Sequence, residues 1–221
     1  MEFTAAECLR PEIIRRSLAS FVTHLLDVEW DRSTLYVNVD PAGDMSCCAD
    51  DAVKFCRSVF GCVVMNAPSD ANFAKAMKWA WSCPVDPVFF HLQLDWLLTK
   101  DVSIEAMKCL LYDDTDEAYS AVNLCAYMGV AKSNRLCLSP GLVQTSVALD
   151  LSNRWNTVDG PEAQLRSPSF RDGGRSLGDG ILSKHYPQEP VLRDIGRQWM
   201  DERGLQKKET GPRHGNFVDW K

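Results

Sequence analysis

The side chains with the clearest chemical potential follow apolar stretches that read as strands. Asp40 comes directly after Thr34–Val39, Asn66 follows a second such stretch, and Asp95 closes the segment Pro87–Trp96. Open α/β sheets bind ligands at the carboxyl ends of their strands, so these side chains could meet at one edge. Carboxylates and amides there can hydrogen-bond a base or a ribose. The alternative is that Asp40 and Asp95 each only start a turn.

The triplet Gln93-Leu94-Asp95 raises the question of a divalent cation. Two carboxylates separated by one residue would bind a hard cation and the diphosphate that it neutralises. Here the first of the two positions is an amide, which can supply a carbonyl ligand without charge. The pattern therefore predicts a weakened metal site.

Two further sites lie outside the strand ends. Ser69 or Asp70 can cap the helix that follows Asn66, and the free N–H groups of its first turn can hold phosphate. No glycine-rich phosphate loop or dinucleotide fingerprint accompanies them, so a simple cap is the preferred interpretation. Glu162, in the sequence DGPEAQL, could deprotonate a hydroxyl, or it could be a solvated loop acid.

The elements that position these residues alternate along the first two-thirds of the chain. Pro11 suits the first turn of a helix, and apolar residues follow it at helical spacing. Strand, helix, strand, helix and the buried strand Pro87–Trp96 come next. This βαβαβ order predicts a parallel sheet with right-handed crossovers.

The chain after Trp96 has a less regular pattern. Glycine, proline, serine and charge dominate Thr157–Gly180, which predicts a loop or lid. The aromatic end of the tail suggests that it docks on the body. The other predicted elements are a helix at Ile104–Tyr112, a strand at Ala121–Met128, a strand and turn at Leu136–Gln144, and an amphipathic helix at Val191–Gly204.

Composition limits the class of protein. A chain of 221 residues suits one sizeable core, and no stretch reaches the roughly 20 apolar residues of a membrane span. The start of the sequence lacks a signal-peptide pattern, so a cytoplasmic location and no membrane partner are expected. The nine cysteines are odd in number and lack a CxxC pair. Buried free thiols, including Cys62, Cys109 and Cys125, are predicted rather than disulfides or zinc.

Charge is spread unevenly. Residues 1–165 carry 13 basic and 22 acidic side chains, a balance of −9, whereas residues 166–221 carry 11 basic and 8 acidic, a balance of +3. A basic end on an acidic body can serve a nucleotide or a nucleic acid, and it can equally be a solvated face.

Taken in order, LYVNVDPAG, NAPSDANFAKAMKWAWS, FFHLQLDW, LSPGLVQ and GPEAQL resemble the GT-A fold glycosyltransferases. They are most similar to the small family-2-like enzymes of bacteriophages and large viruses. The resemblance covers most of the chain and implies a Rossmann-type mixed sheet, mainly parallel and flanked by helices. Residues 1–155 would form the nucleotide-sugar-binding core with the acceptor-side strands. Residues 156–221 would add the lid, the C-terminal helix and the docking tail of the same domain.

The resemblance also implies roles for individual residues. Asp95 and Glu162 would be catalytic, and Asp95 would bind the metal together with His185. The first strand would be Met1–Phe3, with the first two donor contacts just after it. The residues implied to bind the nucleotide sugar are Thr4, Arg10, Asp40, Asn66, Ser69, Asn72, Gln93 and Arg197.

The implied reaction moves a hexosyl or pentosyl group from a nucleotide sugar, with a UDP-sugar as the expected donor and Mn²⁺ or Mg²⁺ as cofactor. The acceptor that the resemblance suggests is a hydroxymethylated pyrimidine in phage DNA, in the host cytoplasm. A glycan, a protein or a small molecule stays open as acceptor. The alternative from another class is a non-catalytic protein that binds a nucleotide sugar.

Overall fold

The computed structural model describes residues 1–112, 119–124, 136–166, 177–178, 181–187, 189–204, 207–209 and 217–220. Its strands are β1 (Glu2–Leu9), β2 (Leu25–Leu26), β3 (Thr34–Gly43), β4 (Cys62–Asn66), β5 (Val88–Leu92), β6 (Trp96–Leu98), β7 (Val102–Ser103), β8 (Ala121–Asn123), β9 (Gly141–Gln144), β10 (Ser183–His185), β11 (Leu192–Asp194), β12 (Lys207–Glu209) and β13 (Phe217–Trp220). Its helices are α1 (Pro11–His24), α2 (Ala49–Val53), α3 (Cys56–Val59), α4 (Phe73–Ser82), α5 (Ile104–Leu111), α6 (Thr145–Arg154), α7 (Pro161–Arg166) and α8 (Gly196–Glu202).

Seven strands form one sheet in the order β10-β8-β9-β5-β1-β3-β4. Strand β1 runs parallel to both β3 and β5, β4 runs parallel to β3, and β10 runs parallel to β8. Strand β9 is antiparallel to both of its neighbours. The predicted α/β fold with a mixed, mainly parallel sheet is therefore confirmed.

Helices cover both faces of this sheet. On one face α1 buries Leu18 and Phe21 against Phe90 of β5, in a cluster that continues to α5. On the other face α4 and α6 bury Trp81 and Trp155, whose ring centroids are 5.2 Å apart. Every residue of β5 is buried, as its apolar composition predicts for a central strand.

The first two strands of the main sheet are longer than predicted. The strand expected at Met1–Phe3 is wrong in length, because β1 continues to Leu9. Its middle contains Thr4 and Glu7, which do not read as a buried strand, yet the neighbours on both sides bury them. Strand β3 likewise passes through Asp40 instead of ending before it.

The second half differs more from prediction. The expected loop region contains helix α7, and the expected single helix at Val191–Gly204 is strand β11 followed by α8. The segment Pro87–Trp96 divides at Leu92, after which the chain turns and β6 pairs with β11. Part of the predicted strand Ala121–Met128 lies outside the described residues, as does Cys125.

Several smaller predictions have a clear outcome. Cys62 and Cys109 are exposed, so their predicted burial is wrong, although both are free thiols as expected. Strands β12 and β13 pair, and the β13 backbone comes within 8 Å of β3, while the docking of the whole tail stays a prediction. Among the described residues no helix has the length and apolar character needed to cross a membrane.

Candidate active site

The crevice at the carboxyl end of β1 is the natural place for a ligand. Strands β3 and β4 lie on one side of β1 and β5 lies on the other, so the order of the sheet reverses there. Open α/β sheets bind their ligands at this kind of reversal. The polar residues at these strand ends fall into two groups.

A bulge in β3 lies opposite the end of β1. Cys8 pairs with Asp40, but the next residue, Leu9, pairs with Gly43, so two residues of β3 have no partner on β1. Gly43 has a φ of 110°, and a Cβ there would lie 2.6 Å from the carbonyl oxygen of Leu9. Only glycine fits this close approach without strain. The Asp44 N–H donates to the same carbonyl at 2.7 Å and fixes the bulge.

The first group, which we name the amide network, consists of Asn38, Asp40, Asn66 and Asn72. Asn66 Nδ2 donates to Asn38 Oδ1 at 2.6 Å, and Asn38 Nδ2 donates to Asp40 Oδ1 at 2.7 Å. The Asn72 backbone N–H donates to Asp40 Oδ2 at 3.0 Å. Burial raises the pKa of Asp40, and these two hydrogen bonds lower it in part.

The second group, which we name the charged cluster, consists of Glu7, Arg10 and Asp95. Arg10 Nη2 lies 3.5 Å from Glu7 Oε2 and 3.4 Å from Asp95 Oδ2. The Leu94 N–H donates to Glu7 Oε1 at 2.6 Å. Burial raises the pKa of Glu7 to about 8, against the lowering effect of Arg10. Burial lowers the pKa of Arg10, but Asp95 and Glu7 help to raise it more, so the guanidinium stays charged.

The C-terminal third closes against the charged cluster. The N–H groups of Ile195 and Gly196 donate to the Asp95 carbonyl at 2.9 and 3.1 Å. A Cβ at position 196 would lie 2.7 Å from Asp95 Oδ2, so glycine lets the start of α8 pass directly over this carboxylate. The Asp95 side chain still keeps 26% of its surface exposed.

The loop before α7 closes against the amide network. Asn72 caps α4 by accepting from the Lys75 N–H at 2.9 Å, and its Nδ2 donates to the Thr157 carbonyl at 2.9 Å. Buried Gln164 then fixes the loop by bonding both backbone groups of Asn156, each at 3.0 Å. Asn72 therefore connects Asp40 to the loop that leads into α7.

Two residues predicted near the donor lie elsewhere. Thr4 is in the middle of β1 and fully buried, with Oγ1 2.9 Å from His91 Nδ1, so its predicted place just after the strand is wrong. The predicted cap by Ser69 or Asp70 is also wrong, because Asn72 caps the helix. Ser69 is exposed and bonds only its neighbour Asp70 among the described residues.

Four predicted residues are open to solvent to different degrees. Glu162, in the first turn of α7, and Arg197, in the first turn of α8, are exposed. Within the described part of the chain the Glu162 carboxylate makes no hydrogen bond or ion pair. Gln93 and Asn66 are half-buried at the ends of β5 and β4. Their predicted roles stay predictions.

The residues present do not fit the predicted divalent cation. Gln93 is neutral and Asp95 is paired with Arg10. His185 is buried at the end of β10, and strands β8 and β9 separate β10 from β5. In the described ranges no three His, Cys, Asp or Glu side chains come together as a metal site. Joint coordination by Asp95 and His185 stays a prediction that this arrangement does not favour.

Sequence reasoning missed two residues of the site, Glu7 and Asn38. Both precede a recognised residue on the same strand or at its end: Glu7 is three residues before Arg10, and Asn38 is two before Asp40. Residues two apart on a strand share a face, which could have identified Asn38. Glu7 was lost because the predicted first strand was too short to reach it.

Comparison with known proteins finds solved structures with a similar fold. No family model matches the chain, and no curated protein matches it either. Among solved structures, S. aureus TarS 1-349 gives a TM-score of 0.55 at 10% identity, over 91% of this chain and 63% of that one. The same protein in complex with UDP-GlcNAc gives 0.56 at 11%, over 87% and 58%.

A mannosyltransferase, PcManGT from Pyrobaculum calidifontis in complex with GDP-Man and Mn²⁺, gives a TM-score of 0.54 at 13% identity. It is matched over 91% of this chain and 60% of its own. The chain thus spans less than two-thirds of these structures. At such low identity the likeness concerns the fold, and it shows that this chain has a GT-A-like mixed α/β fold.

Proposed function

We propose that this protein is a glycosyltransferase that moves a sugar from a nucleotide-sugar donor to an acceptor hydroxyl. The observation that carries the proposal is that the amide network and the charged cluster both lie at the carboxyl ends of neighbouring strands, where the order of a GT-A-like sheet reverses. A nucleotide sugar needs neutral hydrogen-bonding groups for its nucleoside and fixed charges for its diphosphate. The two groups supply these side by side.

The amide network suits the nucleoside end of the donor. Both oxygens of Asp40 already accept one hydrogen bond each, and each retains a second lone pair for a base N–H. Asn66 and Asn38 add amide groups beside it. A UDP-sugar is the donor that we propose first, and the complexes of the similar folds with UDP-GlcNAc and GDP-Man support a nucleotide sugar in general.

The chemistry requires one base and one stabiliser of the leaving group. The acceptor oxygen forms a bond to the anomeric carbon while the bond from that carbon to the diphosphate oxygen breaks. We propose that Glu162 takes the proton of the acceptor hydroxyl. Its carboxylate is exposed and makes no hydrogen bond or ion pair among the described residues. We assign the charge on the departing diphosphate to Arg10 of the charged cluster, together with Gln93 and Arg197.

For the acceptor we propose a hydroxymethylated pyrimidine in DNA, which would place the protein with the viral type of enzyme. The support is the balance of +3 in residues 166–221 against −9 in the rest. The described part of this region exposes Arg193, Arg197 and Arg203. Such charges favour contact with a phosphate backbone without reading its sequence.

The experiment is an assay of nucleoside diphosphate release with a panel of donors that includes UDP-glucose, UDP-GlcNAc and GDP-mannose. Hydroxymethylated and unmodified DNA serve as paired acceptors, and mass spectrometry of the digested DNA detects a transferred sugar. Glu162→Ala is expected to lower turnover at least about 100-fold, the scale of a lost general base, and Asp40→Ala is expected to lower turnover by weakening the donor. Glu105→Ala, at an exposed acid of α5, serves as the matched control.

The outcomes separate the alternatives. Turnover that survives both Asp40→Ala and Glu162→Ala would refute the assigned roles. Turnover with a sugar nucleotide but no mass shift in DNA would point to a glycan or a small molecule as acceptor. Binding of a nucleotide sugar without turnover under any condition would favour the non-catalytic alternative.

A further inference from the structure

At the end of β5, where the resemblance implies a metal site, the chain has Gln93 and Asp95, and Asp95 is paired with Arg10. We propose that the site works without a divalent cation and that the guanidinium of Arg10 supplies the fixed positive charge at the end of β5. This inference rests on the proposed function. It follows from three observations: the donor atoms that are present, the pairing of Asp95, and the closeness of α8.

The donor atoms are too weak for a hard divalent cation. Mg²⁺ and Mn²⁺ bind carboxylate oxygens in preference to neutral groups, usually one or two carboxylates together with phosphate. Gln93 contributes an amide at the first position of the triplet, and Asp95 is the one carboxylate of the triplet. Glu7 is buried and bonded to the Leu94 N–H and to Arg10.

The carboxylate of Asp95 is already paired. Its Oδ2 lies 3.4 Å from Arg10 Nη2. A divalent cation within about 2 Å of this oxygen would sit next to a positive guanidinium. The like-charge repulsion in a buried setting is strong because little water screens it.

Space around Asp95 is restricted from the other side as well. The start of α8 passes so close that a Cβ at Gly196 would lie 2.7 Å from the same Oδ2. The Asp95 carbonyl is bonded to the Ile195 and Gly196 N–H groups, which fixes this approach. One face of the carboxylate is therefore covered by backbone and another by Arg10.

Arg10 is suited to replace the missing positive charge. Its side chain is only 7% exposed and is held between two carboxylates, so its position is set before a donor binds. A guanidinium keeps its charge at every working pH and is weakly hydrated, which makes it effective near a diphosphate. A charge that is already in place needs no reorganisation when the leaving group departs.

The first experiment measures cation and nucleotide binding directly. Mn²⁺ is titrated by electron paramagnetic resonance into the protein, with and without UDP, and the Kd of UDP is measured in EDTA and in Mn²⁺. We expect no saturable Mn²⁺ site in the protein and less than a two-fold change in the Kd of UDP. Saturable micromolar Mn²⁺ binding, or a Kd for UDP raised more than ten-fold by EDTA, would overturn the inference.

Variants that gain Mn²⁺ binding provide a second test of the inference. Gln93→Glu adds one charge without a change of size, and combined with Arg10→Met it leaves two unpaired carboxylates. We expect this double variant to gain a saturable Mn²⁺ site that the parent lacks. If the double variant does not fold, Gln93→Glu with Arg10→Gln provides a second comparison, since glutamine removes the positive charge but keeps a hydrogen-bond donor. Failure of every folded variant to gain such a site would count against Arg10 as the group in the metal's place.

The role of Arg10 has its own readout. We expect Arg10→Met to weaken UDP about ten-fold while uridine changes less than two-fold, since the guanidinium acts on phosphate charge. Equal losses for both ligands would indicate a merely structural role and would overturn this assignment. If the parent binds no nucleotide, the proposed function fails, while the Mn²⁺ titration of parent and double variant still decides the cation question.

Discussion

The amide network and the charged cluster lie at the ends of neighbouring strands of one sheet, but they hold their carboxylates by different means. Asp40 is satisfied by an amide and a backbone N–H, so its surroundings are neutral. Asp95 and Glu7 depend on one shared guanidinium, Arg10. Removal of one side chain should therefore lower the free energy of unfolding little in the amide network and much in the charged cluster.

This difference has a physical reason. A neutral donor that loses its partner can turn toward water or toward a ligand, and the loss is about 1 kcal/mol. A buried charge that loses its partner keeps a desolvation cost that nothing offsets. The amide network thus tolerates an exchange of hydrogen-bond partners, whereas the charged cluster does not tolerate the loss of an ionic partner.

The largest effect is expected for Arg10→Met. Removing the shared cation leaves the Asp95 carboxylate without its partner and takes one hydrogen bond from buried Glu7, and breaking a buried pair costs about 3 kcal/mol or more. We expect this loss in the free energy of unfolding, measured by urea denaturation. The double variant with Glu7→Gln should recover part of it above the raised pKa of Glu7, where that buried side chain is charged and without a cation. A loss below about 1 kcal/mol would show that the two groups do not differ in the way described.

The second effect concerns pH. Burial raises the pKa of Glu7 from 4.5 to about 8, so the folded protein holds a proton there that the unfolded chain has released. Stability from this group is present at low pH and is lost as pH rises toward 8. Burial also lowers the pKa of His91 from 6.5 to about 3, which adds stability above pH 6.5 and removes it below.

Between pH 6.5 and 8, Glu7 is the one of these two groups that changes the stability with pH. We expect the free energy of unfolding to fall by about 1 to 2 kcal/mol over this range, as a shift in one proton allows. Denaturant titrations at several pH values measure it. Glu7→Gln should flatten the curve, whereas Asp150→Asn, at an exposed acid of α6, should leave it unchanged. A stability that rises over this range in the parent would contradict the assignment.

The smallest effect is expected for Asn72→Ser. Serine keeps the helix-cap acceptor but loses the Nδ2 donor to the Thr157 carbonyl, so we expect a loss of about 1 kcal/mol. Asn72→Ala, which removes the cap as well, should cost more. Hydrogen exchange of residues 156–160 provides the second readout and should speed up in both variants. Unchanged exchange would mean that Asn72 does not hold this loop.

The sequence predicted the existence and order of the central strands better than the contacts made at their ends. Apolar runs identified β3, β4 and β5, and their order predicted the parallel sheet that brings Asp40, Asn66 and Asp95 to one edge. Those are local patterns, and they survive folding. The predicted β1 was too short because its central polar residues, Thr4 and Glu7, are buried with hydrogen-bond partners 87 residues away.

The C-terminal third was predicted least well, also for a physical reason. Val191–Gly204 has helical periodicity, but the backbone of Leu192 and its neighbours pairs with β6 and becomes a strand. A distant partner overrides a local pattern in this way. The pairing of Arg10 with Asp95 spans 85 residues and has no local signature at all.

The order of strands in the sheet has a consequence for how the chain folds. Strands β1, β3, β4 and β5 are complete once residue 92 has been made, but β8 receives its outer neighbour only when Ser183–His185 arrives. Until then β8 is an edge with unpaired backbone groups, open to association with another chain. Pairing across such a distance is also slow. Newly made protein should therefore be most vulnerable to aggregation in the interval before β10 joins the sheet.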